Sequence, residues 1–140
     1  HVERNLNMNS KIKFQRMEVE TSEFYLNKSV KLEENQEIAL SLETNFNKED
    51  GGALSLSLDL SIFNKDFKEK EKPLHIRLVI NTFFEINEEL DEVNLIKKYG
   101  ANMILLSYPY ARSYITNLTA MANIPPINIP VISIEDVLGR

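Results

Sequence analysis

No cysteine occurs in the chain, which excludes a disulfide framework, a cysteine-built zinc finger and a thiol nucleophile. Histidine is limited to His1 and His75, too few for an ordinary histidine-based metal site. Lys and Arg total 16 against 21 Asp and Glu, a formal net charge of −5, and the two signs are interspersed. The basic face that phosphate binding requires is therefore missing, which argues against nucleic acid as the main partner. No run approaches the roughly 18 apolar residues that span a bilayer, and the opening HVERNLNMNSK has no apolar signal core. These absences predict a cytoplasmic protein without metal, cofactor, nucleic-acid partner or membrane insertion. Asn27-Lys28-Ser29 and Asn117-Leu118-Thr119 match the glycosylation pattern and are read as chance. The 140 residues are read as one domain. Residues 1–10, which start at His1, are expected to be disordered or foreign to the native chain.

What is present begins with alternation. Leu54, Leu56, Leu58, Leu60 and Ile62 alternate with Ser55, Ser57, Asp59 and Ser61. A strict period of two means a strand with one buried and one wet face. Ile38, Leu40 and Leu42 follow the same rule, as do Leu74, Ile76, Leu78 and Ile80, which leaves His75 and Arg77 on the wet face. A first strand within 11–24 changes parity between Phe14 and Met17, so a bulge is expected near Arg16. The Asn47–Gly52 connection carries turn glycines, 64–73 is a solvated charged loop, and no gap but the short, polar Asn27–Glu37 has room for a crossover helix. These elements make an antiparallel sheet with one apolar face.

A helix is needed to cover that face. Residues 88–99 start acidic and end Lys97-Lys98-Tyr99-Gly100, which reads as a short helix with a glycine C-cap. A second, long helix is predicted over 102–123. Ile104, Tyr108, Ala111, Ile115, Leu118 and Ala122 form its stripe, and Met103, Tyr110, Tyr114 and Met121 widen it. Arg112, Thr116, Thr119 and Asn123 line the opposite side. Pro109 should kink or unwind it locally. The apolar arc is wider than one sheet can cover, which calls for a second partner, most simply another copy of the chain. After it comes an apolar strip that Pro125, Pro126 and Pro130 keep from being helix or central strand.

Tyr108-Pro109-Tyr110-Ala111-Arg112, Ile115, Asn117-Leu118-Thr119 and Ile124-Pro125-Pro126-Ile127-Asn128-Ile129-Pro130-Val131 together resemble the SecB family. Phe14-Gln15-Arg16-Met17, Gly100-Ala101-Asn102 and Ile134-Glu135-Asp136-Val137-Leu138 fit the same pattern. The resemblance spans nearly the whole chain and implies an α+β fold: a four-stranded antiparallel sheet with a long C-terminal helix packed on one face. It also implies a homotetrameric, ATP-independent holding chaperone whose apolar grooves take unfolded or pre-secretory polypeptides. Export members of that family present acidic residues to SecA. Here Thr21, Tyr25 and Arg77 stand at three such positions, which weighs against SecA docking even with Glu18, Glu20, Glu43 and Asp59 nearby. A SecB-like chaperone dedicated to the antitoxin of a toxin–antitoxin system is the alternative.

Client binding is assigned to Met121, Ile124, Pro125, Pro126, Ile127, Ile129, Val131, Ile132, Ile134, Val137 and Leu138. Core packing is the competing role for each of them. Ile129→Asp with Ile132→Asp is expected to weaken client binding and leave the assembly intact. The subunit interface is assigned to Tyr108, Tyr110, Arg112, Tyr114, Ile115 and Leu118, again with core packing as the competing role. His75 is read as a surface residue. An enzyme or small-ligand protein of the hot-dog or cystatin-like kind would need a carboxylate or histidine aimed into the sheet–helix cleft. The inward positions hold none, so no catalytic residue is assigned. A purely structural assembly subunit is the third reading.

Overall fold

The computed structural model describes residues 11–133 together with Asp136. Ile134, Val137 and Leu138 of the candidate client strip, and residues 1–10, lie outside the described residues. Strands β1 (Ile12–Leu26), β2 (Leu40–Lys48), β3 (Leu54–Ile62) and β4 (Leu74–Ile86) precede one helix, α1 (Glu92–Met121). The strands form a single antiparallel sheet in the order β1-β4-β3-β2. Residues 27–39 carry the chain from one sheet edge to the other, so β1 and β2 are both edge strands.

Alternation in the sequence becomes burial in the sheet. Leu54, Leu56, Leu58, Leu60 and Ile62 are fully buried, with Leu74, Ile76, Leu78, Ile80 and Phe84 beside them. Each such side chain contributes about 1.5–3 kcal/mol when taken out of water. β1 keeps its apolar residues on this face only by shifting register twice, between Phe14 and Arg16 and again between Val19 and Thr21. The first shift is the expected bulge. The second has the same effect, so that Phe14, Met17, Val19 and Phe24 all pair with inward-facing residues of β4.

The two expected helices are one. α1 runs 30 residues through both Gly100 and Pro109, and no residue around Pro109 leaves the helix. Gly100 is buried and serves packing, not capping. A Cβ there would stand 3.2 Å from Cζ of Phe46, so the glycine lets the β2 ring approach the helix backbone. A mid-helix glycine costs about 1 kcal/mol, and this close approach is what it permits. The helix begins at Glu92, N-capped by Asp91, whose carboxylate accepts from the Asn94 amide at 2.9 Å. Its end is set by Asn123, which takes a left-handed φ of 61°.

Glu88 lies ahead of the helix. Its carboxylate accepts from Lys98 Nζ at 2.6 Å and from the Tyr99 hydroxyl, with Lys11 at 4.0 Å. Hydrogen bonds from Lys98 and then Tyr99 hold this carboxyl below the usual carboxylate range, against some desolvation. A depressed folded-state pKa stabilises the protein above the unfolded value, and the benefit is lost as pH falls through the folded one. The gap in urea midpoint between wild type and Glu88→Gln should therefore be largest near neutrality and close on acidification. A gap that stays constant with pH would remove the carboxylate from this role.

Two positions on the outer sheet face depart from the sequence reading. His75 is only 3% exposed, because the charged 64–73 segment folds over it and packs Phe67 against its ring. Ser55 is covered as well, donating to Glu49 Oε2 at 2.9 Å. On the helix, Ser107 and Thr119 are fully buried. Ser107 Oγ donates to the Met103 carbonyl and accepts from Thr82 Oγ1 of β4 at 2.7 Å. This buried link pins the helix on the sheet.

Candidate polypeptide-binding surface

After Met121 the chain turns back along α1, and its backbone is satisfied by helix side chains rather than by a strand. The Tyr108 hydroxyl donates to the Pro130 carbonyl at 2.7 Å, Arg112 Nε to the Ile129 carbonyl at 3.2 Å, and Thr116 Oγ1 to the Ile127 carbonyl at 3.2 Å. Thr119 Oγ1 accepts from the Ile127 amide at 2.9 Å. Prolines have removed several amide donors from this strip, and residues spaced about four apart on one side of the helix supply what remains. Thr116, Thr119 and Arg112, on the side opposite the apolar stripe, are the side that holds the tail.

Burial sorts the candidate client residues into two groups. Ile127 and Ile129 are buried in the core with the sheet and helix, so neither has surface left for a client. Met121, 83% exposed, and Val131, 71% exposed, are open to solvent. Pro126 is exposed, and Ile124, Pro125 and Ile132 are half-buried. Residues 33–36 and Ile38 face Pro125 and Pro126 across a cleft of about 290 Å³, with Glu33 and Glu34 in its lining.

The interface candidates divide as well. Tyr108 and Ile115 are buried inside their own subunit and belong to the core. Leu118 and Tyr114 are half-buried, and the Tyr114 hydroxyl hydrogen-bonds Ser22 Oγ at 2.8 Å. Tyr110 remains exposed while stacking on Phe14, with centroids 5.2 Å apart. Between Gly100 and Met121 the only charged residue is Arg112, and it is bonded to the tail. From Gly100 to Met121 the outward face of α1, with Leu106, Pro109, Tyr110, Asn117 and Met121 exposed on it, therefore carries no charge.

One surface escaped the sequence reading. α1 packs chiefly on β3, with lesser contact to β4 and β2, and β1 lies at the sheet edge beyond β4. The inward side chains of its first half, Ile12, Phe14, Met17 and Val19, are thus only partly covered. Ile12 and Phe14 face Leu105 and Leu106 across an apolar trough between strand and helix, Tyr110 stacks on Phe14, and Met17 and Val19 continue the same face of β1 beyond it. The trough, about 330 Å³, is lined by Ile12, Phe14, Asn102, Leu105 and Leu106. The parity shifts showed these residues facing inward, but nothing in the sequence places β1 at an edge. Among the described residues no cluster of His, Cys, Asp or Glu could hold a metal ion, and no helix is long and apolar enough to cross a membrane.

A four-stranded antiparallel sheet in this order, with one long C-terminal helix across it and a proline-rich tail returning along the helix, is the SecB-like α+β fold. The comparisons agree with that fold. The SecB-like chaperone Rv1957 of Mycobacterium tuberculosis, solved in complex with a ChAD peptide from the HigA1 antitoxin, superposes with a TM-score of 0.67. The match covers 91% of this chain and 92% of that one at 17% identity. A protein of unknown function from Streptococcus agalactiae matches with a TM-score of 0.57 over 85% of this chain and 96% of that one, at 11% identity. An uncharacterized protein of Methanocaldococcus jannaschii is 28% identical over 133 residues, covering 92% of this chain and 83% of that protein. No protein-family model matches the sequence.

The tail ladder is open to a direct test. Thr119→Val keeps the shape but orphans the buried Ile127 amide, and should cost about 1–3 kcal/mol. Tyr108→Phe frees a carbonyl on exposed Pro130 that water can reach, and should cost about 1 kcal/mol or less. Urea unfolding of both variants checks the order. Equal losses would mean that burial of the amide is not what matters.

Proposed function

We propose that this chain is the subunit of an ATP-independent holding chaperone, which takes unfolded polypeptide against apolar surface and releases it by competition or client folding. The observation that carries the reading is the trough between β1 and α1. It is an uncovered apolar surface beside a free strand edge, in a fold shared with a SecB-like chaperone solved with a bound peptide. No catalytic group is required. Each client side chain buried there contributes up to about 1.5–3 kcal/mol, much of it offset by ordering the client. The uncharged outward face of α1 between Gly100 and Met121 supports assembly through helix–helix contact, as the homotetramer of the SecB resemblance implies.

A dedicated client is the second reading. It is supported by the antitoxin peptide bound to the Mycobacterium tuberculosis protein. It is also supported by the outer sheet face, where Thr21, Tyr25 and Arg77 replace acids and Arg77 is paired with Asp59 at 2.9 Å. Diluting a urea-unfolded client into buffer with stoichiometric protein tests the general activity: aggregation should be suppressed without nucleotide. Undiminished aggregation of several unrelated clients, with an antitoxin still protected, would favour the dedicated role. Failure with both would end the chaperone reading.

A further inference from the structure

The outer face of the sheet carries one buried polar group whose bonding is incomplete. His75 pairs with Tyr25 across β4 and β1. Its Nδ1 stands 3.2 Å from the carbonyl oxygens of both Ile62 and Phe63. Two acceptors require a proton on Nδ1, which makes Nε2 the lone-pair nitrogen of a neutral ring. Nε2 is buried and has no hydrogen-bond partner among the described residues.

Two aromatic rings cover the imidazole. Tyr25 stacks on it with centroids 6.0 Å apart and planes at 3°, and Phe67 lies 6.0 Å away at 33°. Phe67 is the buried anchor of a turn whose residues 68–72 are all charged and exposed. The turn holds its own shape through the Lys70 amide to the Asp66 carbonyl at 3.0 Å and the Lys72 amide to the Phe67 carbonyl at 2.8 Å. Its far end is tied to Asn27, which donates to the Pro73 and Lys72 carbonyls. The turn is thus closed on itself by local bonds, with Phe67 as its buried side chain.

We propose that the 64–73 turn is a flap over this corner of the outer sheet face, latched by the neutral ring of His75 and released when the ring gains a second proton. That proton goes to Nε2 and creates a donor where the described residues supply no acceptor. The parallel stack on Tyr25 directs an Nε2–H along the ring and not at its π face, so the phenol does not take the bond. Tyr25 is fixed in the β1 ladder, so the mobile cover is Phe67.

The charged and titratable groups around the site come from every neighbouring element. β1 offers Glu23, whose Oε2 is 3.5 Å from the Tyr25 hydroxyl. β4 offers Arg77, already bonded to Asp59 of β3. The turn brings Asp66, Lys68 with Nζ 5.9 Å from the Phe67 ring, and Lys72 with Nζ 5.7 Å from the Phe63 ring. None of these is bonded to Nε2. Release would expose Phe67, Tyr25 and His75 as one aromatic patch beside the Arg77–Asp59 pair. This inference does not depend on the chaperone reading.

Amide hydrogen exchange followed by NMR on the full chain tests it between pH ~7.5 and ~5.5, where imidazole ordinarily titrates. Corrected for intrinsic exchange chemistry, the Phe67, Lys70 and Lys72 amides should lose about tenfold or more protection. His75→Gln should abolish the pH dependence, and Phe67→Ala should leave the turn open at both pH values. Three results would overturn the proposal: protection unchanged across this range, the same pH dependence in His75→Gln, or nitrogen shifts placing the neutral proton on Nε2. The last is read on the wild type and stands even if a variant fails to fold.

Discussion

Ile129→Asp should destabilise the subunit by about 4 kcal/mol, while Val131→Asp, two residues along the same tail, should cost about 0.5 kcal/mol or less. Ile129 is 2% exposed and sits in the core, whereas Val131 is open to solvent. Removing the buried side chain loses about 1.5–3 kcal/mol, and its replacement puts a carboxylate among the apolar side chains of the core. The tail can avoid that only by peeling away. Peeling would also expose Ile127 and undo the bonds from Tyr108, Arg112 and Thr116. Urea unfolding should show a lowered midpoint for Ile129→Asp, with a reduced m-value if the tail has detached. Part of the loss should return at acidic pH, because a protonated Asp is cheaper to bury than a charged one. Equal stability of the two variants would mean that the tail does not lie on the core. The same burial corrects the expectation that Ile129→Asp with Ile132→Asp isolates client binding. That pair would damage the subunit itself.

The strands were legible because one period decides them. Every even position from Leu54 to Ile62 is fully buried, and the parity change after Phe14 gave the bulge before any partner strand was known. The motif from Tyr108 to Val131 carried the fold as a whole. What escaped shares one cause: it depends on which element lies against which. Strand order placed β1 at an edge and left Ile12, Phe14, Met17 and Val19 partly open, and no local pattern encodes that order. Gly100 carries a C-cap signal in sequence, and only the Phe46 ring explains why the helix continues. His75 follows the wet-face parity correctly, yet Phe67 covers it from a segment that reads as solvated charge. Thr119 and Arg112 sit at polar helix positions, and a tail stripped of amide donors by proline gave them partners in its backbone. A recurring polar residue every four positions opposite a proline-rich strip was the available signal.

Val19→Glu and Leu106→Glu, made separately, should each weaken capture of an unfolded client, and together by about 30-fold. Leu106 lines the trough on α1, Val19 stands further along the inward face of β1, and both are exposed enough to accept a charge. Each surface substitution should move the stability of the isolated fold by no more than about 0.5 kcal/mol. Each wall residue that a client covers partly is worth about 1 kcal/mol of burial, and about 2 kcal/mol for the pair corresponds to the stated loss of affinity. Fluorescence anisotropy of a labelled unfolded polypeptide reads the affinity, and sedimentation velocity reads the assembly. Weaker binding by both single variants at unchanged sedimentation assigns the trough to the client. If Leu106→Glu dissociates the assembly while Val19→Glu does not, the outer face of the second half of α1 joins subunits and the client wall is β1 alone. If Val19→Glu dissociates it with client affinity per subunit retained, the trough lies between copies of the chain, and the client surface moves to the cleft between Ile38 and Pro125–Pro126.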